Sequence, residues 1–394
     1  MRTILITGPG GAGRTTLAAA TALAGARRGA RTLVLSADRA DTLGTALGTP
    51  TGPEPVQAEE RLTAWRPDPA AGFREDLAAL QDRAAGALDL LGAAPLDPAE
   101  LTPLPGADEL ALLRALRDAV LSEAHDLVVV DLPPLDRALT LLGLPEELRR
   151  CLRRLLPPER QAARALRPVL GRLAGVPMPA EWLYEAAERW ALELGAVEAV
   201  LADRDTHVQV VAEPTPAGAD AVRTAALGLA LRARRPARLV ASRVLPESEA
   251  APGSWLAGPV AQQRKVLEEW RCVHEVATAA HLGRDPQGTD DLAALGAALD
   301  DDTPPRASCV EWPVLDRLAE DGVLVWHIPL PGAARDQLDL MRRGDELVLG
   351  VGPFRRVVPL PSALRRCTVA GASLREEELR IRFAPDPGLW PTAR

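Results

Sequence analysis

The stretch RTILITGPGGAGRTTLAAATALAGARRGARTLVLSAD, residues 2–38, decides the fold class of this chain. It begins with a short apolar run, continues through a glycine-rich loop into an alanine-rich helical pattern, and ends with a second apolar run. A strand, a loop, a helix and a strand in this order form a βαβ unit with a right-handed crossover and parallel strands. The chain is therefore expected to open with the first part of a parallel α/β sheet.

Three further apolar runs, at residues 125–134, 207–216 and 237–246, end in turn residues. They show no alternation of polar and apolar positions, which is typical of strands that are buried on both faces. Long helical stretches separate them. The sequence therefore predicts one α/β domain over residues 1–300, with a mainly parallel sheet flanked by helices and a helical insert at about 144–203.

The pattern changes after this domain. Residues 301–318 start with acidic residues and prolines, which predicts a linker. Residues 319–394 contain short β segments separated by glycine and proline, the pattern of a small antiparallel β-sandwich. We therefore expect an α/β domain followed by a linker and a small all-β sandwich domain.

The composition limits the classes of function. With 46 basic and 54 acidic residues the net charge is −8, which disfavours binding to nucleic acid and to anionic membranes. The four cysteines lie far apart without a CxxC pair, so neither a disulfide framework nor a zinc site is predicted. No apolar run reaches the ~20 residues of a membrane span, and the N-terminal run is too short for a signal peptide. The expected location is the cytoplasm.

The glycine loop has the spacing of a phosphate-binding P-loop, whose backbone N–H groups hold phosphate at a helix N-terminus. Gly8-x-x-x-x-Gly13-Arg14-Thr15 keeps the glycines of the motif and its hydroxyl, and Thr15 is placed to bind Mg²⁺. Arg14 stands where the motif has lysine, and a wide, planar guanidinium does not replace a compact ammonium directly. The alternative is a glycine-rich turn without a ligand. The predicted nucleotide-contacting residues of this loop are Gly8, Gly10, Gly11, Ala12, Gly13, Arg14, Thr15 and Thr16.

Residues 6–48 resemble the arsenite-pump-driving (ArsA) ATPases and their relatives that target tail-anchored membrane proteins (Get/TRC). Their loop reads GKGGVGKTT and their first switch reads DPAHSLGDALG. The resemblance implies a dimeric protein that uses ATP and Mg²⁺, with Asp38 as the catalytic aspartate that positions the attacking water. Pro9 replaces the lysine that reaches the partner's phosphates in that family, while Arg39 and Asp41 replace a proline and a histidine of the switch.

The segment VVVDLPPLDRALTLLGLPEEL, residues 128–148, resembles the second switch of the same family. Asp131 is then the Walker B carboxylate that holds the Mg²⁺ shell. The alternative is an aspartate that caps the turn after its strand. Leu132, Asp136 and Arg137 depart from the family's threonine, glycine and histidine.

Two shorter segments match the family as well. LVASRVLP, residues 239–246, resembles IVVNRVLP, with Ser242 in place of the asparagine that reads adenine; one hydroxyl specifies a base less well than an amide. PLPGADELALLRAL, residues 103–116, resembles the PGxDE element, in which Asp108 and Glu109 are predicted to be acids at the start of a helix. The family's zinc-clamping and arsenite-binding cysteines have no counterpart in this sequence.

Residues of about 320–388 resemble the α-crystallin-like domain of small heat-shock proteins, which implies protein–protein contact or dimer bracing. His327 stands alone in its predicted strand and is interpreted as a packed residue. In the helical insert, the side chains of Met178, Trp182, Tyr184 and Trp190 favour helix packing over a client groove. A promiscuous groove needs soft, flexible side chains, and methionine is scarce here.

Three hypotheses follow from these observations. The first is a cytoplasmic, dimeric P-loop protein that binds ATP and Mg²⁺, hydrolyses ATP weakly or not at all, and acts as a nucleotide-gated binding or regulatory subunit. The second is an active ATPase in which Arg14 or a partner's residue replaces the missing lysines, the partner being a second copy or a paralogous ATPase. The third is a chaperone-like module that binds a protein client and keeps the P-loop domain as a scaffold.

Overall fold

The structure is a computed structural model that describes residues 1–91, 104–157, 181–251, 253–299 and 308–390, together with 94, 96, 97, 100 and 102. The chain divides into two compact units. The first unit contains Met1–Thr7, Gly13–Thr206 and Leu282–Asp302. The second unit contains Gly8–Ala12, His207–His281 and Thr303–Arg394.

The first unit is built around a mainly parallel sheet. Its strands have the order β3-β4-β2-β5-β1, and β3 is the antiparallel one, paired with β4. The expected βαβ opening is confirmed, with β5 inserted between the first two strands of the chain. These strands are β1 (Arg2–Thr7), β2 (Thr32–Ser36), β3 (Val56–Glu59), β4 (Leu62–Trp65) and β5 (Leu127–Asp131).

Helices flank this sheet. Helix α1 packs its buried alanines against the strands, and its Gly25 leaves room for the Leu127 side chain, since a Cβ there would lie 2.5 Å from Leu127 Cδ2. With helices numbered along the whole chain, those of the first unit are α1 (Arg14–Arg27), α2 (Thr42–Leu47), α3 (Pro69–Leu91), α4 (Ala107–Leu121), α5 (Leu135–Leu155), α6 (Glu181–Ala202) and α9 (Gly288–Leu299).

Helix α6 and the C-terminal half of α5 lie in the predicted insert, and the two helices pack against each other. Tyr184 of α6 is buried, as the packing interpretation expects, whereas Trp190 on the same helix is 45% exposed. Met178 lies outside the described residues. Helix α6 therefore presents a mixed surface, with Tyr184 buried, Trp182 half-buried and Trp190 exposed.

The second unit contains three parallel strands in the order β6-β7-β8 and two antiparallel sheets, β14-β15-β10-β9 and β11-β12-β13. The all-β C-terminal domain is thus as expected. The strands are β6 (Thr206–Ala212), β7 (Arg238–Val244), β8 (Val276–Ala280), β9 (Val314–Arg317), β10 (Val323–Pro329), β11 (Leu338–Arg343), β12 (Glu346–Val351), β13 (Phe354–Pro359), β14 (Cys367–Arg375) and β15 (Glu378–Pro385). The helices are α7 (Pro216–Ala230), α8 (Ala257–Val273), α10 (Leu318–Asp321) and α11 (Ser362–Arg365).

The sandwich is built onto the end of α7, within the same unit. Leu227 and Leu231 are part of the buried core of the sandwich. Arg356 of β13 donates from Nη1 to the Leu231 carbonyl oxygen at 3.0 Å, and its guanidinium lies 5.5 Å from the ring centre of Trp312. The sandwich therefore shares its core with the α/β part of the chain.

Two details differ from the sequence interpretation. Strand β9 lies inside residues 301–318 and pairs with β10, so that segment is not a linker throughout. His327 is packed but does not stand alone, because its Nδ1 lies 3.1 Å from Glu378 Oε2 on the neighbouring strand β15. The strand pairing that creates this contact joins positions far apart in the sequence.

Candidate functional site

The carboxyl ends of three parallel strands meet in the first unit. Asp131, the last residue of β5, is in register with Ile6 of β1 on one side and with Ser36 of β2 on the other. Ligands of open α/β sheets bind at this edge, outside the carboxyl ends of the strands. The two polar strand ends, Ser36 and Asp131, are thus placed side by side at the edge where a ligand is expected.

Asp131 is the centre of this site. Its Oδ2 accepts hydrogen bonds from Thr15 Oγ1 at 2.7 Å and from Ser36 Oγ at 3.0 Å. Its Oδ1 is buried and has no hydrogen-bond partner among the described residues. Burial raises the pKa of Asp131 to about 6, against the hydrogen bond from Thr15 and the charge of Arg14. The carboxylate therefore offers one satisfied oxygen and one free oxygen.

Arg14 lies beside this carboxylate. Its Nη1 donates to the carbonyl oxygen of Leu132 and lies 3.9 Å from Asp131 Oδ1, and its side chain is 11% exposed. A distance of 3.9 Å is within ion-pair range but too long for a hydrogen bond. The predicted loop cation is therefore directed at the end of β5.

The loop between β1 and α1 contains two glycines in the left-handed backbone region. Gly11 and Gly13 have φ of +80° and +84°, a region that favours glycine. Gly13 caps α1 without a side-chain hydrogen bond from the described residues, and the first turn of the helix contains no acid. The first N–H groups of α1 are thus left for an anionic ligand, as at other helix N-termini.

The donor set fits Mg²⁺. A hard divalent cation prefers oxygen ligands, and the Thr15 hydroxyl lies next to the free Oδ1 of a buried carboxylate, which needs a cation or a donor. Among the described residues there is no cluster of three or more histidine, cysteine, aspartate or glutamate side chains suited to a metal ion. Thr15 and Asp131 would therefore hold the ion together with phosphate oxygens and water.

Asp38, the predicted catalytic residue, follows β2. Its backbone N–H donates to Ser36 Oγ at 3.3 Å, and its Oδ2 accepts from Thr42 Oγ1 at 3.0 Å. Asp38 and Asp131 line the same cavity of about 590 Å³. The structure thus brings the two predicted carboxylates to one space. Ser36, which contacts both, was missed by the sequence analysis, although its place as the last residue of a buried strand could have indicated it.

Two ion pairs join this cavity to helix α4. Arg39 lies 3.1 Å from Asp108, and Arg137 contacts Glu109 closely. Asp108 and Glu109 are in the first turn of α4, which confirms that they are acids at a helix start. The arginines that replace the family's proline and histidine therefore connect both switch segments to one helix.

Asp41, in place of the family's histidine, has a structural role. It caps α2, accepting from the Gly44 N–H at 2.9 Å through Oδ1 and from the Thr51 N–H at 2.9 Å through Oδ2. An aspartate that accepts backbone hydrogen bonds at a helix start stabilises that helix. This switch position therefore supports local structure.

The remaining predicted contact residues lie at different places. Thr16 is half-buried in the first turn of α1. Ser242, the predicted base-reading residue, belongs to the second unit, in β7, and is 3% exposed. Its hydroxyl has no hydrogen-bond partner in the part of the chain that the structure describes.

The family described as "Anion-transporting ATPase" matches residues 1–299. A second family, described as "HSP20-like domain found in ArsA", matches residues 321–383. No helix in the described residues is long and apolar enough to cross a membrane.

Three relatives illustrate the range of similarity. An uncharacterised protein of Streptomyces coelicolor is 73% identical over 394 residues, covering 100% of both chains. A protein of Aquifex aeolicus named for the arsenical pump-driving ATPases is 26% identical over 97% of this chain and 99% of its own. ATPase GET3 of Ajellomyces dermatitidis is 28% identical over 45% of this chain and 52% of its own.

Proposed function

Because this chain belongs to the anion-transporting ATPase family, we propose that it binds ATP with Mg²⁺ and hydrolyses it weakly or not at all. In this proposal the protein acts as a nucleotide-gated binding or regulatory subunit. One observation carries it: the free Oδ1 of Asp131 lies beside Thr15 at the uncapped start of α1. The binding elements are present, while the two lysines that the family uses in catalysis are replaced by Pro9 and Arg14.

The role of each group follows from its position. The N–H groups of the loop and of the first turn of α1 hold phosphate oxygens. Thr15 and Asp131 hold Mg²⁺, which neutralises phosphate charge when it is bound. Ser36 keeps the Asp131 carboxylate in one orientation through its 3.0 Å hydrogen bond, and Asp38 faces the cavity in which an attacking water would lie.

Weak hydrolysis follows from the charges. Phosphoryl transfer depends on positive groups aimed at the oxygens of the transferring phosphate. Pro9 supplies no charge, and Arg14 directs one of its N–H donors at Leu132 and shares its charge with Asp131, so it neutralises the transferring phosphate only in part. The transition state is therefore stabilised less than the bound ground state, which lowers the turnover number more than the affinity.

The partner and the location are part of the proposal. Similarity to the family supports a cytoplasmic homodimer, or a heterodimer with a paralogous ATPase, and a protein client is compatible with the sandwich. An intact paralogue could supply the lysine that Pro9 replaces. Mixing this chain with such a paralogue should then raise the hydrolysis rate above the sum of the separate rates.

The second candidate is an active ATPase that uses Arg14. It is favoured by the position of the guanidinium, 3.9 Å from the Walker B carboxylate and largely buried. A correctly aimed arginine stabilises phosphoryl transfer well. In that case Arg14→Ala should abolish hydrolysis. Arg31→Ala should not change it, because Arg31 pairs with Asp126 just before β5, away from Asp131.

The test is calorimetric titration of the purified chain with ATP and ADP in Mg²⁺, followed by phosphate release. We expect saturable binding with Kd values on the order of micromolar and a turnover number well below the ~1 s⁻¹ of ordinary enzymes. A rate in the ordinary range would favour the second candidate. The absence of binding would contradict both.

A further inference from the structure

We propose that Arg14 is a tethered counter-cation of Asp131 and of the bound phosphates, so that this site binds ATP with little dependence on Mg²⁺. The inference rests on the proposed nucleotide binding and extends it to the metal requirement. Arg14 is the residue at which the loop departs from the P-loop motif, and its guanidinium lies beside Asp131.

The two carboxylate oxygens of Asp131 have different surroundings. Oδ2 is already used by two hydroxyl donors, Thr15 and Ser36. Oδ1 is buried without a hydrogen bond from any described residue, in a carboxylate that is 2% exposed. A buried carboxylate oxygen without a donor is unfavourable unless a cation lies nearby. The Arg14 guanidinium, at 3.9 Å, supplies part of that positive charge and leaves Oδ1 without a hydrogen bond.

The Arg14 guanidinium has more N–H donors than the one that it uses on the Leu132 carbonyl. A guanidinium has five N–H donors in a planar fork, and the Leu132 carbonyl takes one of them from Nη1. The guanidinium is 3.9 Å from Oδ1, so it balances the carboxylate charge without being consumed by a hydrogen bond to it. Donors without a partner among the described residues therefore remain for phosphate oxygens, which arginine binds in bidentate fashion.

The charge of Arg14 also affects the coupling between metal and nucleotide. In an ordinary P-loop the lysine of the motif contacts the phosphates, and Mg²⁺ brings the positive charge that lies between the phosphates and the buried carboxylate. Here the cation of residue 14 lies 3.9 Å from that carboxylate, so part of the charge that Mg²⁺ would bring is covalently attached. The gain in ATP affinity that Mg²⁺ provides is the coupling free energy between the two ligands, and a resident cation at the same place reduces it.

A substitution to lysine separates this role from simple positive charge. Arg14→Lys restores the P-loop motif and keeps one positive charge, but its ammonium is a single point without the planar fork. Arg14→Gln keeps a planar end group and removes the charge. Arg31→Lys is the matched control, because Arg31 also pairs with an aspartate that flanks β5, Asp126, at 2.7 Å and at the opposite end of the strand.

The experiment measures the Kd for ATP by calorimetry in excess MgCl₂ and in EDTA, for the wild type and the three variants. For the wild type, we expect the Kd for ATP in EDTA to exceed the Kd in MgCl₂ by less than about threefold. We expect Arg14→Lys and Arg14→Gln to raise this ratio about tenfold, which is a usual size for coupling between two ligands. Arg31→Lys should leave the ratio unchanged. Thermal unfolding of each variant shows that it is folded before it is titrated.

The results separate this inference from the proposed function. ATP binding by the wild type with a ratio above about thirtyfold, or equal ratios in the wild type and both Arg14 variants, would overturn the role of Arg14 and leave nucleotide binding in place. A change in Arg31→Lys as large as in Arg14→Lys would also overturn it. No binding of ATP in either buffer would contradict the proposed function itself, and the inference would fall with it.

Discussion

The hydroxyl of Thr15 donates a 2.7 Å hydrogen bond to Asp131 Oδ2, joining residues that are 116 positions apart in the chain. This bond connects the first turn of α1 to the end of β5. It places the hydroxyl of the P-loop motif against the carboxylate at the end of the strand. The two residues proposed to bind Mg²⁺ are therefore held together by the fold.

Thr15→Val removes this bond while keeping the shape of the side chain. Asp131 would keep Ser36 as its one hydroxyl donor, so we expect a loss of about 1–3 kcal/mol in the free energy of unfolding. We also expect ATP affinity in Mg²⁺ to fall by less than about threefold, because Arg14 limits the contribution of the metal. Urea unfolding with Thr15→Ser as the control measures the first effect, because serine keeps the hydroxyl. Equal stability of the two variants would contradict the assigned bond.

The raised pKa of Asp131 predicts a pH-dependent stability in metal-free protein. The carboxyl holds its proton more tightly in the folded state, since burial raises its pKa from 3.8 to about 6. The ionised form therefore costs stability in full above about pH 6 and none below about pH 4. As the pH rises from about 4 to about 6, the free energy of unfolding of Asp131→Asn should therefore increase relative to that of the wild type, by at most about 3 kcal/mol.

Asp126→Asn is the matched control with the opposite sign. Its hydrogen bonds with Arg31 hold the pKa of Asp126 below its usual range, so this carboxylate stabilises the fold above its unfolded pKa and loses that effect as the pH falls. Asp126→Asn should therefore lose stability relative to the wild type as the pH rises to about 4, and its difference from the wild type should stay nearly constant above about pH 5. Parallel curves for the two variants in urea unfolding from pH 4 to 7 would contradict the assignment.

Gly8 and Gly10 of the loop should respond differently to alanine. A Cβ on Gly8 would lie 2.0 Å from the carbonyl oxygen of Val211, whereas one on Gly10 would have no described atom within 4 Å. Gly8→Ala therefore has to move the backbone, and we expect a loss of more than about 2 kcal/mol in the free energy of unfolding. Gly10→Ala should stay within about 0.5 kcal/mol of the wild type. Chemical unfolding of both variants tests this.

The ion pair between Arg137 and Glu109 should contribute little to stability. Glu109 is the better buried partner, while the Arg137 side chain is 53% exposed. Exposed pairs of this kind give about 0.2–1 kcal/mol in double-mutant cycles. The cycle with Arg137→Gln and Glu109→Gln measures that coupling, and the pair of Arg39 and Asp108 is its internal comparison. A coupling above about 2 kcal/mol would mean that the pair is desolvated.

The contact of the sandwich with α7 predicts that the sandwich is not a removable module. Leu231 is 2% exposed and lies in the sandwich core. Leu231→Ala should cost about 2–5 kcal/mol of stability. Leu192→Ala, on a side chain that is 76% exposed, should stay within about 0.5 kcal/mol of the wild type.

Deletion of residues 308–394 would expose the same apolar surface of α7. We expect a lower unfolding temperature and binding of a hydrophobic dye to the truncated chain. A truncated chain as stable as the full one would show that the shared core contributes nothing. If the truncated chain is as stable as the full one, a loss of client protection can be assigned to the missing sandwich alone. If the truncated chain is destabilised, the same loss also reflects damage to the rest of the second unit.

The sequence by itself determined the local elements and the motif residues of this protein. The βαβ opening, the buried strands at 125–134, 207–216 and 237–246, and the β-rich C-terminal part all follow from periodicity and turn residues, which report burial and backbone conformation over short distances. The candidate carboxylate Asp38 came from the resemblance to the family's first switch, and Asp131 came from the second switch together with its place at the end of a predicted strand.

Only the tertiary structure decided how the side chains meet. The contact of Ser36 with Asp131 depends on β5 lying beside β2, and the direction of Arg14 depends on the carbonyl of Leu132 at the end of that strand. These pairs join positions 95 and 118 residues apart. Strand order and register set such contacts. Local patterns in a single sequence carry information only on neighbours along the chain. Such patterns therefore do not specify which distant strand lies alongside.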